Sequence, residues 1–302
     1  MKVHAEPKPL HEPLPGGSTG ATVTVEPLIA GQVEWPAAMM ESPGGRFLTL
    51  KLLRALLSSA GRWSVPCPAF LIRHPSAGLL LVDTGLHPSV AADPRQNFGR
   101  LGVRFAPVSL GSGEDVPAQL RAKGIDLREI KFVVMTHLHF DHASAISEFP
   151  SSTFVVSERE WVAATTDRRP LLRGYRPAHY DFTFDYRTVD YDRGGIDSYA
   201  TFGRTFDLFG DGSIRLAYTP GHSAGHQAVV CHLRERDFVI AGDAIYTYRQ
   251  LEDGPLPPRP LDMHQFRRSL QELRLFRREF PQAVITPGHD PSFYAQIDDL
   301  YE

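Results

Sequence analysis

Residues 137–142 read His-Leu-His-Phe-Asp-His and follow the apolar run Phe132–Met135 after a single threonine. A short apolar run of this kind is typical of a buried strand, so the chain has to place four polar side chains where that strand ends. Burying four such groups costs free energy unless a strong partner compensates for the lost water. This demand constrains the fold more than any other feature of the sequence.

The spacing of the four polar residues indicates what the partner is. In an extended backbone, residues two apart project to the same side, so His137, His139 and Asp141 can converge on one point. His142 projects differently and can serve a second point nearby. Imidazole and carboxylate groups are ligands of Zn²⁺, Mn²⁺ and Fe²⁺ in sites that activate water. The pattern therefore favours a metal site over a hydrogen-bonded histidine cluster.

Composition excludes several other classes of protein. The 302 residues carry a formal net charge of −3, which predicts no nucleic-acid partner and no membrane partner. No run of about 18 apolar residues is present, which excludes a membrane-spanning helix. The two cysteines, Cys67 and Cys231, are too few for a disulfide framework. We therefore expect a reducing, cytoplasmic location.

The chain divides into a short leader and one large domain. Residues 1–20 contain several prolines and a Gly-Gly pair but no apolar core of a secretory signal, and we interpret them as a flexible or extended leader. We expect residues 21–302 to form a single domain. Within it, residues 167–205 have little periodicity and predict an insertion or a substrate-pocket loop. We expect the segment Phe47–Leu57 to contain a helix. Its predicted role is an entrance loop to the site, a contact in a homodimer, or both.

Four further polar residues follow apolar runs and lie beside glycine. Asp83 lies in Val-Asp-Thr-Gly, His222 in Thr-Pro-Gly-His, Asp243 in Ala-Gly-Asp-Ala, and His289 in Thr-Pro-Gly-His. Each of them alone is more typical of a turn residue. Together with residues 137–142 they form a strong candidate metal-ligand set.

In this set of motifs the chain resembles the metallo-β-lactamase superfamily over roughly residues 65–295. The resemblance implies an α/β fold, an αββα sandwich with a two-metal site at one edge of the sheets. It also implies two divalent ions, with zinc expected and iron, manganese or cobalt as alternatives. By similarity, the ligands of one ion are His137, His139 and His222, those of the other are Asp141, His142 and His289, and Asp243 bridges both. We expect Asp83 to orient a histidine through its other ring nitrogen.

Within the superfamily, the chain looks most similar to the N-acyl-homoserine lactonases. The features that carry this resemblance are His-Leu-His-Phe-Asp-His, Thr-Pro-Gly-His-Ser-Ala-Gly-His-Gln and a tyrosine, Tyr246, three residues after Asp243. In that family a tyrosine at this place contacts the substrate carbonyl. Phe140 is a candidate wall of the substrate pocket, with plain packing as the alternative. Ser144 stands where those enzymes often have glycine, and residues 167–205 are longer than usual.

The implied reaction is the opening of a lactone ring, with degradation of a quorum-sensing signal as the role. A hydroxide bridging two metal ions attacks the carbonyl carbon, Tyr246 polarises the carbonyl oxygen, and Asp141 passes a proton to the departing ring oxygen. A different ester or thioester hydrolase, similar to glyoxalase II, is the alternative on the same ligands. A non-catalytic binding protein is the alternative from another class, and loss of a ligand would indicate it.

Overall fold

The structure is a computed structural model, and it describes residues 3–302. The strands are β1 Lys8–Pro9, β2 Thr24–Pro36, β3 Arg62–His74, β4 Gly78–Val82, β5 Val108–Ser109, β6 Ile130–Val134, β7 Thr153–Ser157, β8 Asp185–Val189, β9 Asp197–Tyr199, β10 Phe202–Asp207, β11 Ile214–Tyr218, β12 Gln227–His232, β13 Asp237–Ile240 and β14 Val284–Thr286. The α-helices are α1 Ala37–Met40, α2 Leu48–Leu57, α3 Ser89–Ala92, α4 Pro94–Phe105, α5 Val116–Ala122, α6 Phe140–Ala143, α7 Glu158–Thr166, α8 Arg249–Glu252, α9 Met263–Glu279 and α10 Pro291–Tyr294.

The strands form two mixed sheets. The first has eight strands in the order β1-β8-β7-β6-β4-β3-β2-β5, and the second has six in the order β14-β13-β12-β11-β10-β9. Strands β4, β6, β7 and β8 run parallel in the first sheet. In the second sheet β13 and β14 run parallel, and β11 points the same way because β12 is antiparallel to both of its neighbours. The carboxyl ends of these strands therefore lie at a common edge in each sheet.

Side-chain alternation builds the layers on both sides of each sheet. On β6, Phe132 and Val134 enter the core between the two sheets, whereas Val133 enters the core on the outer face. The outer face of the first sheet is covered by α5 and α7, and that of the second by α9. Helix α9 buries Leu270, Leu273 and Phe276 in the core on the outer face of the second sheet. The result is the predicted αββα sandwich, which is confirmed.

One segment has more regular structure than its sequence suggests. Residues 167–205 contain β8, which joins the first sheet, and β9, which joins the second. On β8, the partly exposed Asp185 and Arg187 alternate with the buried Tyr186 and Thr188. This alternation is typical of a strand with one face in solvent. This strand was not predicted from the sequence.

The leader lies extended along the body from residue 3 to residue 20. Its strand β1 pairs in parallel with β8, and Leu10 and Leu14 are buried in the core between the sheets. Both sheets bury side chains in that same core. We therefore propose that residues 21–302 form one domain, to whose core the leader adds Leu10 and Leu14.

Candidate metal centre and adjoining cavity

The predicted ligands come together at the edge where the parallel strands end. His137 and His139 follow β6, and α6 begins directly after His139 and presents Asp141 and His142. His222 lies in the turn after β11, Asp243 in a short 3₁₀ turn after β13, and His289 in the loop after β14. These are carboxyl ends of strands in both sheets, so the sandwich itself gathers the side chains. All seven predicted metal ligands lie in one cluster.

The first group of side chains is centred on His222. Its Nε2 atom lies 3.2 Å from Nε2 of His137, 2.8 Å from Nδ1 of His139 and 3.3 Å from Oδ2 of Asp243. Three imidazoles and one carboxylate oxygen thus point at one small volume. This is a donor set that tetrahedral zinc accepts.

The second group is centred on His289. Its Nε2 atom lies 3.3 Å from Oδ2 of Asp141 and 3.2 Å from Oδ1 of Asp243, and Oδ1 of Asp243 lies 3.4 Å from Nε2 of His142. The two oxygens of the Asp243 carboxylate therefore face different groups. That arrangement is what a bridging carboxylate between two ions requires.

Hydrogen bonds from outside the cluster determine which ring nitrogen of each histidine is free. His142 donates from Nδ1 to Oδ2 of Asp83 at 2.8 Å, and His289 donates from Nδ1 to the carbonyl oxygen of Pro66 at 2.9 Å. Neither acceptor has a proton to give, so both Nδ1 atoms carry one. The lone pairs of both Nε2 atoms therefore face the cluster, as metal ligation needs.

Thr136 extends this arrangement to a third histidine. Its hydroxyl proton is donated to Oδ2 of Asp83 at 2.7 Å. The hydroxyl oxygen therefore accepts a hydrogen bond from Nδ1 of His137, at a distance of 3.0 Å. Asp83 also accepts from the backbone N–H of Thr136 at 2.8 Å. The structure places Asp83 behind the ligands, oriented toward His142 and Thr136, where the sequence predicted a positioning role.

Burial keeps the histidines of the first group neutral. Desolvation lowers the pKa of His137 and of His222 well below the usual value, and it lowers the pKa of His139 as well. A neutral imidazole is the form that binds a metal ion.

The carboxylates of the second group attract positive charge, and a metal ion bound there would replace the proton on Nε2 of His142. Burial acts to lower the pKa of His142, but the carboxylates of Asp83, Asp141 and Asp243 outweigh it and raise that pKa well above its usual value. Burial acts to raise the pKa of Asp243, yet His289 and the other neighbouring imidazoles hold it well below the usual range. The carboxylate is thus ionised in a place that favours a cation.

Two atoms at the centre of the cluster lack a hydrogen-bond partner among residues 3–302. Nε2 of His142 and Oδ1 of Asp243 are both buried. A buried polar atom without a partner costs free energy, and a cation between these atoms would satisfy both. The converging lone pairs and the two unpartnered atoms fit a pair of divalent ions.

A cavity of about 660 Å³ opens onto the cluster. His139, Asp141, His222, Asp243 and His289 line its floor. The walls are mainly apolar and come chiefly from four regions, residues 33–40, 98–106, 167–176 and 257–261. Such a cavity fits a ligand with a polar reacting end and an apolar body.

Tyr246 and Phe140 both lie in the cavity wall. The hydroxyl of Tyr246 lies 2.7 Å from Nδ1 of His222. Burial, together with the carboxylates of Asp243 and Asp141, raises the pKa of this phenol well above its usual value, so it stays protonated. Phe140 packs edge-on against Phe98 at a ring-centroid distance of 5.3 Å.

Glu160 is a contributor that the sequence did not reveal. It is fully buried on α7, where Oε1 accepts from the backbone N–H of Leu138 at 3.1 Å. Oε2 accepts from the hydroxyl of Ser223 at 2.7 Å and from the N–H of Gly225 at 3.0 Å. One carboxylate thus ties the loop of His137 and His139 to the loop of His222. The only signal in the sequence was a glutamate on the buried face of an amphipathic helix.

His226 positions Asp243 from behind. Its Nε2 atom accepts from the backbone N–H of Asp243 at 3.0 Å, and its Nδ1 atom donates to the hydroxyl of Thr219 at 2.9 Å. Burial lowers the pKa of His226 to about 3, so it remains a neutral acceptor. Gly288 is equally close, because a Cβ atom there would lie 2.3 Å from Oδ1 of Asp243. These contacts explain why the polar residues occur beside glycine.

Ser144 occupies the position where the N-acyl-homoserine lactonases often have glycine, and its side chain has a structural role. Its hydroxyl accepts from the backbone N–H of His87 at 3.0 Å and donates to Oδ1 of Asn97 at 2.9 Å. It therefore links the ligand loop to α4, which forms part of the cavity wall.

Comparison with known proteins agrees with this fold. The model of the Metallo-beta-lactamase superfamily matches residues 63–289. The chain belongs to this superfamily.

Individual relatives narrow the similarity further. The N-acyl homoserine lactonase AttM of Agrobacterium fabrum is 34% identical over 236 residues, which cover 78% of this chain and 86% of that protein. A structure of a B. thuringiensis AiiA mutant with N-decanoyl-L-homoserine bound at the active site has a TM-score of 0.72 at 20% identity, covering 92% of this chain and 97% of that chain. AidC, described as a dizinc quorum-quenching lactonase in complex with a product, has a TM-score of 0.57 at 14% identity, covering 93% of this chain and 90% of that chain.

Proposed function

We propose that this protein is a metal-dependent hydrolase that opens the ring of N-acyl homoserine lactones and so removes a quorum-sensing signal. The observation that carries the proposal is the Asp243 carboxylate, whose two oxygens face two separate ligand groups at the floor of an apolar cavity. Relatives named N-acyl homoserine lactonase, at 34% identity over most of the chain, support the substrate class.

The residues of the two groups would hold two divalent ions. His137, His139 and His222 would bind one, Asp141, His142 and His289 the other, and Asp243 both. When bound, such ions lower the pKa of water and polarise a carbonyl oxygen. Zinc is our proposal for the metal, supported by the nitrogen-rich first group and by the dizinc centre described for AidC.

Tyr246 would stabilise charge on the substrate carbonyl. If His222 ligates through Nε2, its Nδ1 carries the proton and donates to the oxygen of Tyr246. The phenol proton is then free to donate into the cavity that Tyr246 lines. A donor held there meets the negative charge that develops on the carbonyl oxygen during attack by water.

Asp141 would move the proton. Its Oδ2 atom faces His289, and the residue lines the cavity, so Oδ1 is available to the reactants. As the water oxygen bonds to the carbonyl carbon, Oδ1 takes a proton from that water. When the bond from the carbonyl carbon to the ring oxygen breaks, Oδ1 returns the proton to the departing oxygen.

The cavity walls fit the acyl chain of such a lactone. Val33, Trp35, Met40, Val65 and Phe98 surround the space beyond the ligands with apolar side chains. Each methylene group transferred from water to this wall contributes about 0.8 kcal/mol of binding free energy. A reducing, cytoplasmic location is our accompanying proposal, supported by two buried free cysteines.

The test compares substrates and one variant on metal-analysed protein. We expect purified protein to contain two metal ions per chain, to lose activity with a strong chelator, and to hydrolyse acyl-homoserine lactones faster than simple esters or thioesters. Tyr246→Phe removes one donor while both metals remain, so kcat on the best lactone should fall roughly 10- to 100-fold with unchanged metal content.

Tyr248→Phe is the matched control, because Tyr248 stacks on Phe293 outside the cluster and should keep full activity. Faster hydrolysis of a thioester than of any lactone would favour the glyoxalase II-like alternative. A Tyr246→Phe protein with full lactonase activity would remove the role assigned to that hydroxyl, and loss of metal would make Tyr246 a structural residue.

A further inference from the structure

Most of the large apolar side chains that are exposed on residues 3–302 lie on segments that line the cavity or contact a segment that lines it. They belong to four segments, residues 44–62, 94–106, 167–176 and 254–261, which we call the collar. Nine of the eleven exposed side chains lie there, namely Phe47, Leu50, Leu53, Leu57, Leu101, Phe105, Leu171, Leu172 and Leu261. Only Val162 and Leu300 lie elsewhere. Exposed apolar surface concentrated in this way marks an interaction site.

The helix α2 shows the pattern most clearly. Leu52 is its buried residue, at 3% exposure, whereas Leu57 is 72% exposed. Phe47, Leu50, Leu53 and Leu57 are spaced by three or four residues and so form one stripe. This stripe faces away from the side that Leu52 buries, because the helix turns by about 100° per residue. Packing within the chain therefore does not account for it.

The collar is also strongly basic. Its four segments contain twelve of the 32 Lys and Arg residues of the chain but one of the 35 Asp and Glu residues, Asp167. The collar therefore carries a formal charge of +11, or +8 when the flanking Asp93, Asp253 and Asp262 are included, whereas the remainder of the chain is acidic. A net charge of −3 conceals this separation.

Direct contacts join the four segments into one surface. Arg62, the first residue of β3, donates to the carbonyl oxygen of Leu56 at 3.2 Å and to that of Phe105 at 3.0 Å, which connects the end of α2 to α4. Arg259 donates to the hydroxyl of Thr49 at 3.0 Å, which connects the start of α2 to the segment before α9. Segments 94–106, 167–176 and 254–261 all contribute to the wall of the same cavity.

We propose that the collar docks on the surface of an anionic phospholipid bilayer, with the cavity mouth facing the lipid. Leucine and phenylalanine side chains fit the boundary between headgroups and acyl chains, and interspersed arginines fit the anionic headgroups. A second copy of the chain fits this surface poorly, because a symmetric contact would bring two collars of charge +11 together. Docking is peripheral, since no helix among residues 3–302 is long and apolar enough to cross a bilayer.

This proposal replaces the expectation, drawn from net charge alone, that the protein has no membrane partner. It does not depend on the proposed function. The two would combine well, because an amphiphilic lactone that partitions into a bilayer would meet the cavity at the lipid surface.

The experiment measures partitioning onto vesicles by sedimentation. We expect the protein to bind vesicles of phosphatidylcholine and phosphatidylglycerol at a ratio of roughly 7:3, and to bind phosphatidylcholine alone much more weakly. Salt at about 0.5 M should weaken the binding. The double variant Arg54→Gln and Arg104→Gln should lower the partition coefficient about fivefold for each arginine. Leu53→Ser with Leu57→Ser should lower it roughly tenfold.

Leu300→Ser and Arg278→Gln are matched controls, because both residues are exposed and lie outside the collar. They should bind like the unchanged protein. All variants should keep the same melting temperature and the same rate on a short-chain lactone, since none of the substituted residues lines the cavity.

Absence of binding, or binding that the collar variants leave unchanged, would overturn the proposal. A dimer in solution that the leucine variants dissociate, without vesicle binding, would assign the collar to a second copy instead. Vesicle binding by a protein that hydrolyses no lactone would support the docking surface and contradict only the proposed function.

Discussion

The floor and the walls of the cavity are built in different ways. The floor consists of polar side chains at the carboxyl ends of strands, and backbone or buried groups such as the Pro66 carbonyl and Glu160 hold them in place. The walls consist of apolar side chains from short helices and loops, and much of their surface reaches solvent at the collar. The difference indicates that the reaction is determined by the sandwich and the substrate range by the segments added around it.

The largest expected effect lies at the floor. Asp243→Asn keeps the size of the side chain but replaces one ligand oxygen with an amide nitrogen, so it should weaken both ion sites together. We expect at least a 10³-fold loss of lactonase rate with reduced metal content. Elemental analysis and kinetics on the same sample measure this.

The control for that variant is Asp237→Asn, at the start of β13, where a buried carboxylate accepts from the hydroxyl of Tyr199. It should affect stability without removing metal. An unchanged rate in Asp243→Asn would show that Asp243 does not bridge the ions.

A smaller effect is expected at Glu160, which holds the loops of the floor in place by hydrogen bonds. Glu160→Gln places an amide NH₂ group against the N–H of Leu138 or against the loop of Ser223, so one of the two loops loses its acceptor. We expect metal affinity to fall about 10- to 100-fold. The kcat of protein saturated with metal should remain close to that of the unchanged protein.

The split between affinity and kcat distinguishes positioning from direct catalysis. Glu158→Gln, on the same helix but with its side chain partly exposed, should change neither quantity. A low kcat in fully loaded Glu160→Gln would mean that Glu160 acts on the reactants.

The smallest expected effect concerns the wall. Phe140→Leu shortens an apolar side chain that contacts Phe98 and leaves the ligands unchanged. KM for a long-chain lactone should rise a few-fold, and KM for a short-chain lactone should stay the same. Phe280→Leu, at the end of α9, is the control. A large drop in kcat or in metal content in Phe140→Leu would contradict the distinction between floor and wall.

The same distinction explains how far the sequence could be interpreted. The gathering of seven His and Asp side chains was predictable, because they follow apolar runs and the end of a strand is a place that local pattern specifies. That these side chains bind metal is our proposal. Asp83 was predictable for the same reason, and the structure shows it bonded to His142. The αββα layers followed from the resemblance that these motifs carry.

What the sequence did not reveal depends on contacts between distant segments. Glu160 contacts Leu138 and Gly225, and no local pattern around Glu160 indicates either partner. The exposed direction of the α2 stripe was also undetermined, because an amphipathic pattern shows that a helix has an apolar face but not what covers that face. The collar became visible only when four separate segments were brought together.

The pairing of β1 with β8 has a consequence for how copies of the chain behave toward each other. Unpaired N–H and C=O groups at the edge of a sheet can template pairing with a strand of another molecule. Here one of the two edge strands of the eight-stranded sheet, β1, consists of Lys8 and Pro9, and proline has no N–H to offer. A charged residue and a proline at this position discourage edge-to-edge aggregation, so the leader protects one edge of the sheet in which β6 is followed by four of the seven proposed metal ligands.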